Sequence, residues 1–171
     1  KTRSKRSDYF CGMNSLLTLL ISFQLSGASL PPDSTSWEAT ADTVIELAMD
    51  QLGVTYQWGG CSPGKCFDCS GLLYYAYKEV GVHVARSSHG LATLGRDIPL
   101  EEARKGDAII FTGTQPGDTS AGHCGIVLSN EDGLLKFIHC SSSEAHYGVV
   151  ITEYQNSGYP KRFHSVKRVI E

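Results

Sequence analysis

The stretch "WGGCSPGKCFDCSGLLYYAYKEVG" (Trp58–Gly81) holds three of the chain's six cysteines within nine residues. Its two halves differ in kind. The first is a loop punctuated by Gly and Pro. The second, from Asp68, carries Leu73, Ala76, Tyr77 and Val80 at i, i+3, i+4 and i+7, the spacing of one helix face, and Gly81 ends it. Cys69 falls at the start of that helix. There the unpaired backbone N–H groups and the helix dipole favour an anion, and thiolate is the reactive form of cysteine. A thiolate nucleophile also needs a base, usually His, and the base needs an orienting group.

Working outward, "SWEATADTVIELAMDQLG" reads as an earlier helix with Val44, Leu47, Ala48 and Leu52 on one face and Gly53 as its stop. Downstream the pattern changes to short β-branched or aromatic runs: 107–113, 122–130, 134–140, 148–154 and 162–170, separated by turns such as "NEDG" and "GYPK". Helices followed by consecutive strands predict an α+β domain, with helices packed on one side of an antiparallel sheet.

Two histidines sit in this strand region. His123 opens "GHCGIVL" and His139 lies near the end of "LLKFIHC". A short turn joins the two runs, so a hairpin is expected that sets the histidines roughly opposite each other. One imidazole could then act as base while the other fixes its tautomer. Cys124 and Cys140 would point together to the other face, where packing is expected rather than a bridge. Two other readings stand beside this one. The cysteines and histidines could be buried structural residues. Alternatively Cys66-x-x-Cys69 could bind zinc with Cys61, His123 and His139, although a second tightly spaced ligand pair is missing. A redox role for Cys66-x-x-Cys69 needs a βαβ context that the later strands do not supply. His83, His89, His146 and His164 read as surface histidines, Asp107 as a structural acid and Trp58 as loop packing.

The 171 residues are 41% hydrophobic, with 15 basic and 18 acidic side chains, which is the composition of one globular domain with an appendage. Lys1, Arg3, Lys5 and Arg6 crowd the first six positions; the remainder has 11 basic against 18 acidic residues, a poor fit to nucleic-acid binding. The basic tip, the apolar run "SLLTLLISF" (Ser15–Phe23) and the small residues Ser26 and Ala28 have the layout of a signal peptide or pro-segment over residues 1–28. That run is too short to span a bilayer. Residues 29–36, with "LPPDSTS", read as a linker, and 37–171 as the folded domain.

In order along the chain, "LGVTYQWGG", "FDCSGLLYYAYKEVG", "ARSS", "LEEARKGDAIIF", "AGHCGIVLSN", "FIHCSSS" and "KRVI" resemble the NlpC-type cysteine peptidases, papain-like enzymes that cut cell-wall peptides. The resemblance covers nearly all of the folded domain. It implies a papain-like fold with N-terminal helices on a five- to six-stranded antiparallel sheet. By position it implies Cys69 as nucleophile, His123 as general base and His139 as its orienter. Tyr56 would lie beside the nucleophile and help hold the oxyanion. Asp68 and Ser70 would line the pocket for the donor peptide, with Arg86 and Ser87 at its edge. The implied reaction is hydrolysis of peptidoglycan stem peptides, at the bond between the γ-carboxyl of D-glutamate and a diamino acid, by a secreted monomer. Its partner is peptidoglycan or muropeptide fragments; no metal or organic cofactor is needed. A papain-like amidase or acyltransferase with an apolar tunnel, or a non-catalytic binding module, are the competing functions. Cys61 and Cys66 depart from the usual family pattern, and a disulfide between them is expected to stiffen the loop before the nucleophile.

Overall fold

The computed structural model describes residues 36–171; the expected signal segment and nearly all of the linker lie outside the described residues. Helix α1 (Trp37–Met49) starts where Ser36 accepts a hydrogen bond from the Ala39 N–H, and it buries Ala41, Val44 and Ala48. It is shorter than its sequence pattern suggests. Leu52 lies beyond it and is exposed, because the chain turns there to pair with a strand: the Gly53 N–H donates to the Val149 carbonyl. A two-stranded hairpin follows, β1 (Cys61–Ser62) and β2 (Cys66–Phe67), leading into α2 (Cys69–Glu79) and a single helical turn, α3 (Ser88–Leu91).

The sheet has six strands, all antiparallel, in the order β3-β8-β4-β5-β6-β7. They are β3 (Arg96–Ile98), β4 (Ala108–Thr112), β5 (Ala121–Glu131), β6 (Leu134–Ser141), β7 (Gly148–Glu153) and β8 (Phe163–Arg168). The five predicted runs are β4 to β8. The sixth strand, β3, is three residues long and carries Arg96 and Asp97 beside Ile98, so it lacks an apolar alternation to announce it; it is recruited by pairing with β8.

Each face of the sheet has its own core. Ala108, Ile110, Cys124, Ile126, Ile138 and Cys140 pack against Leu72, Leu73, Ala76 and Tyr77 of α2 and the buried side of α1. Ile109, Phe111, Val127, Leu135, Phe137, Tyr154 and Val166 form the other face, covered by Leu100 and Tyr159 from the connections and by Phe163 at the start of β8. Each fully buried Leu, Ile or Phe contributes about 1.5–3 kcal/mol of apolar transfer, so both faces help hold the sheet. Asp107 is a structural acid, as expected. It is almost completely buried and accepts two hydrogen bonds from the Arg168 guanidinium, at 2.9 and 2.8 Å, and one from the Arg104 N–H.

Cys61 and Cys66 are both free, and the expected bridge between them is not formed. The hairpin register explains this. Cys61 stands opposite Phe67 and Cys66 opposite Ser62, so the two cysteines are one residue out of step and project to opposite faces. Cys61 instead donates its S–H to the Gly71 carbonyl (3.5 Å). Cys124 and Cys140 are free and buried on one face, packed as expected, with the Cys140 S–H donating to the Phe67 carbonyl (3.2 Å).

Candidate active site

The site is assembled at the start of α2. Asp68 is its N-cap: Oδ1 accepts from the Gly71 N–H (2.6 Å), while Oδ2 accepts from the Gly59 N–H (2.8 Å). Arg86 spans both carboxylate oxygens (2.8 and 3.1 Å) and also donates to the Gly60 carbonyl (2.7 Å). The Ser70 hydroxyl accepts from Arg86 (2.9 Å) and donates to the Arg86 carbonyl (2.9 Å). These bonds tie the loop at 59–60 to the helix and leave Cys69 as the first helical residue. The tie demands glycine at 71, where a Cβ would sit 2.0 Å from the Gly60 oxygen.

Cys69 therefore meets the partially charged end of α2, and its thiol is held well down, to about 5. The largest contribution is a hydrogen bond from the Cys124 thiol; burial opposes it, and the hydrogen bond and charge of His123 add to it. Cys124 can act this way because complete burial pushes its own thiol far up, keeping the S–H as a donor.

The two histidines are diagonal rather than directly opposite. Ile126 pairs with Ile138, so one further step sets His139 across from Gly125 and leaves His123 one same-face step away. Gly125 makes the room: a Cβ there would come within 2.6 Å of the Phe137 ring and 3.2 Å of the His139 Cβ. His123 Nε2 and His139 Nδ1 are 2.9 Å apart, and His139 Nε2 is 2.9 Å from the Thr152 hydroxyl. Burial, then the charge of His123, keeps His139 well below the ordinary histidine range and hence neutral. A His123 that turns Nδ1 to Cys69 must donate its Nε2–H to His139 Nδ1, which puts the neutral His139 proton on Nε2, toward the Thr152 hydroxyl.

Tyr159 closes the arrangement. Its ring stacks on His123 (5.5 Å between centroids, 23°) and meets His139 edge-on (5.3 Å, 76°), and its hydroxyl lies 3.2 Å from His123 Nε2 and 3.5 Å from His139 Nδ1. Burial pushes that phenol up to about 12, so it remains protonated.

A cavity of about 340 Å³ opens beside Cys69, and all of the expected flanking residues, Tyr56, Asp68, Ser70, Arg86 and Ser87, line it. Tyr56 is held by an edge contact with Tyr147 (5.6 Å), and burial raises its phenol, keeping the proton on. Asp68 is more of a brace than a free wall, since its oxygens are taken up by Gly59, Gly71 and Arg86. Ser87 caps α3 through the Gly90 N–H (3.1 Å). Trp58 corrects the sequence reading: it is 87% exposed on the rim of this cavity, not packed into the loop. Among the described residues no three His, Cys, Asp or Glu side chains are placed to hold a metal ion. Sequence reasoning missed Tyr159 and Thr152. The first sits in a turn and the second on an edge strand, and neither has a spacing that marks it.

A cysteine on the first turn of a helix, facing a pair of hydrogen-bonded histidines on adjacent strands of an antiparallel sheet, is the architecture of a papain-like cysteine peptidase domain. Residues 53–168 match the NlpC/P60 family, and the chain belongs to it. It is 35% identical over 125 residues to murein DD-endopeptidase MepH of Escherichia coli, covering 71% of this chain and 43% of that protein. It is 29% identical over 131 residues to the γ-D-glutamyl-L-lysine dipeptidyl-peptidase of Bacillus subtilis, covering 77% of this chain and 42% of that one. A Mycobacterium tuberculosis relative, 36% identical over 120 residues (70% of this chain), is matched over only 27% of its length, so the chain spans less than half of these curated relatives. Among solved structures, the peptidoglycan hydrolase RipB of Mycobacterium tuberculosis superposes with a TM-score of 0.64 at 30% identity, over 83% of this chain and 69% of that one.

Proposed function

We propose that residues 37–171 form a cysteine peptidase that hydrolyses peptide bonds in peptidoglycan stem peptides outside the cytoplasmic membrane, with Cys69 as nucleophile, His123 as general base and His139 as its orienter. The observation that carries this reading is the placement of Cys69 as the first residue of α2 beside the hydrogen-bonded His123–His139 pair, an environment that lowers the pKa of its thiol. The names of the relatives supply the substrate class, and the γ-D-glutamyl bond to a diamino acid is the bond proposed.

The geometry supports each step. Cys69 thiolate attacks the carbonyl carbon, and the C=O electron pair moves to oxygen. The Cys69 N–H, at the first helical position and so without an intrahelical partner, is available to that oxyanion, with the Tyr56 hydroxyl, which lines the same cavity, as a second donor. His123 gives its Nδ1 proton to the amine as the C–N bond breaks, leaving a thioester on Cys69. His123 then takes a proton from water, which attacks the thioester and releases the acid. Through both halves His139 accepts from His123 Nε2–H, so the proton is always exchanged at Nδ1. No step calls for a metal or organic cofactor. Tyr56, Asp68, Ser70, Arg86 and Ser87 stand around the cavity beside Cys69, where the acyl half of a peptide substrate would lie.

Defined muropeptides incubated with the wild type and Cys69→Ala, with products read by mass spectrometry, test the proposal. Cleavage of a stem peptide by the wild type alone is expected; no Cys69-dependent product from any stem peptide would overturn it.

A further inference from the structure

Single exposed apolar side chains are ordinary, and Leu52, Leu134 and Ile151 need no explanation. Trp58 differs from them in three ways. It is 87% exposed, yet it lines the cavity that holds Cys69. Its backbone is fixed. The Gly60 N–H donates to the Gln57 carbonyl (2.8 Å), closing a turn with Trp58 at its second position and Gly59 at its third, where a φ of +79° or so would strain any other residue and the observed +74° calls for glycine. The Gln57 N–H donates to the Phe67 carbonyl (2.8 Å) and the Gly59 N–H to Asp68 Oδ2 (2.8 Å), so both neighbours of Trp58 are tied to the segment that leads into the nucleophile. Lastly, its ring is left open to solvent, whereas Trp37, the chain's other tryptophan, has the Arg104 guanidinium 3.5 Å over its ring. Tyr56, on the same cavity wall, carries the exposed ring of Tyr147 edge-on against it (5.6 Å), so the aromatic surface continues past Trp58. A fixed turn that presents an open indole beside the reacting sulfur is a preformed surface for a flat, apolar ring face.

We propose that Trp58 is the platform for the sugar that carries the stem peptide, stacking on the apolar face of the muramyl ring at the far end of the acyl half. The inference rests on the peptidase reading and adds a substrate-recognising residue to it. Length supports it. The acyl half of a γ-D-glutamyl bond is two residues, and the first of them is joined through its nitrogen to the lactyl group of the sugar. Two residues, the second extended through its γ-carboxyl, span about 9 Å, and a cavity of about 340 Å³ is of similar breadth. With the scissile carbonyl at Cys69 the peptide fills the cavity, and the next group, the sugar, comes out at the rim where Trp58 stands. Charge agrees with this. The Asp68 carboxylate and the Arg86 guanidinium neutralise each other on the same wall (2.8 Å), which leaves apolar contact as what Trp58 offers a ligand. A pyranose ring suits such a surface: one face of C–H bonds lies on the indole, while the hydroxyls around its edge stay in water.

The test uses two substrates with the same stem peptide and scissile bond, one carrying N-acetylmuramic acid on the first alanine and the other a plain N-acetyl group there. Neither has a charged amine at that end, so the sugar is the whole difference. The readout is the ratio of their kcat/KM values. In the wild type the muramyl form is expected to be favoured by about tenfold, which is what taking one ring face out of water supplies. Trp58→Ala is expected to bring the ratio close to one, and Trp58→Tyr, which keeps an aromatic face, to retain most of the preference. A merely structural role for Trp58 would slow both substrates together and leave the ratio where it was. A wild-type ratio near one overturns the proposal, as does a ratio unchanged in Trp58→Ala. If neither substrate is cleaved, the peptidase reading fails, and the platform is tested directly by calorimetry with N-acetylmuramyl-L-alanyl-D-isoglutamine and its N-acetyl counterpart without the sugar. Sugar-dependent binding that is lost in Trp58→Ala upholds the platform; equal or absent binding overturns it.

Discussion

The Cys69 thiol offers a sharp test, because a depressed pKa changes the shape of a rate profile and not just its height. The ordinary value for this thiol is 9.0, and in the folded chain it is lowered to about 5. The group is thus thiolate above about pH 5 and protonated below it, whereas the same residue in the unfolded chain ionises only near 9. At pH 6 the folded thiol is about nine-tenths ionised and the unfolded one about a thousandth. Intrinsic nucleophilicity falls with pKa, however, with a Brønsted slope of about 0.4–0.5, which over this shift costs roughly 60-fold. Folded Cys69 should then react roughly 15-fold faster than unfolded Cys69 at pH 6, and roughly 30-fold slower at pH 9. The two curves should cross near about pH 7. The assay is alkylation by iodoacetamide from pH 4 to 10, in buffer and in urea, with the Cys69 peptide quantified by mass spectrometry. Cys124→Ala, which removes the S–H donor, and His123→Ala are each expected to move the native midpoint upward. A native midpoint at 8 or above, or native and unfolded curves that never cross, would refute the account of how this site is built.

Three further outcomes follow from the same geometry. His139→Ala removes the acceptor of His123 Nε2–H and should lower kcat roughly 10²-fold with little change in KM, while His139→Asn, which keeps an acceptor oxygen, should recover most of the loss in a muropeptide turnover assay. Tyr159→Phe keeps the ring contacts but deletes an oxygen 3.2 Å from His123 Nε2, so kcat should fall with little change in KM while the melting temperature stays close to wild type. Asp107→Ala strands the Arg168 guanidinium inside the fold and should cost about 3–5 kcal/mol in urea unfolding, with the Cys69 alkylation midpoint unchanged in the protein that remains folded.

What was legible in the sequence, and what was not, divides along a physical line. The α2 face, the five strands and the place of Cys69 follow from periodicity, because burial on one side of a helix or strand writes itself at a fixed spacing. The histidines were legible as a pair for the same reason: a short turn forces the two runs into a hairpin. Their shared face was not: the register at the turn would set His139 opposite Ile126, facing away from His123, and the slip between Val127 and Ser129 brings it opposite Gly125 and onto the His123 face, while a bulge leaves no mark on the hydrophobic pattern. The disulfide expectation failed on a finer point of the same kind. Four residues between Cys61 and Cys66 looked like an easy loop to close, but a two-residue hairpin that pairs Cys61 with Phe67 decides by parity that the sulfurs diverge. Tyr159 was hidden more deeply. It lies 36 residues from His123 in sequence and stands in a short turn whose conformation carries no apolar repeat, so only the packing of Phe111, Phe137 and the two imidazoles around its ring reveals it. Gly71 and Gly125 show the converse. Each could be noticed in "DCSG" and "GHCGIVL", yet the reason for each is a neighbour brought close by folding: the Gly60 carbonyl for one, the Phe137 ring and His139 for the other. Local pattern placed the reacting groups on their elements. The contacts that set their tautomer, their charge and their room come from chain segments far away in sequence, and those are the contacts that the predictions above perturb.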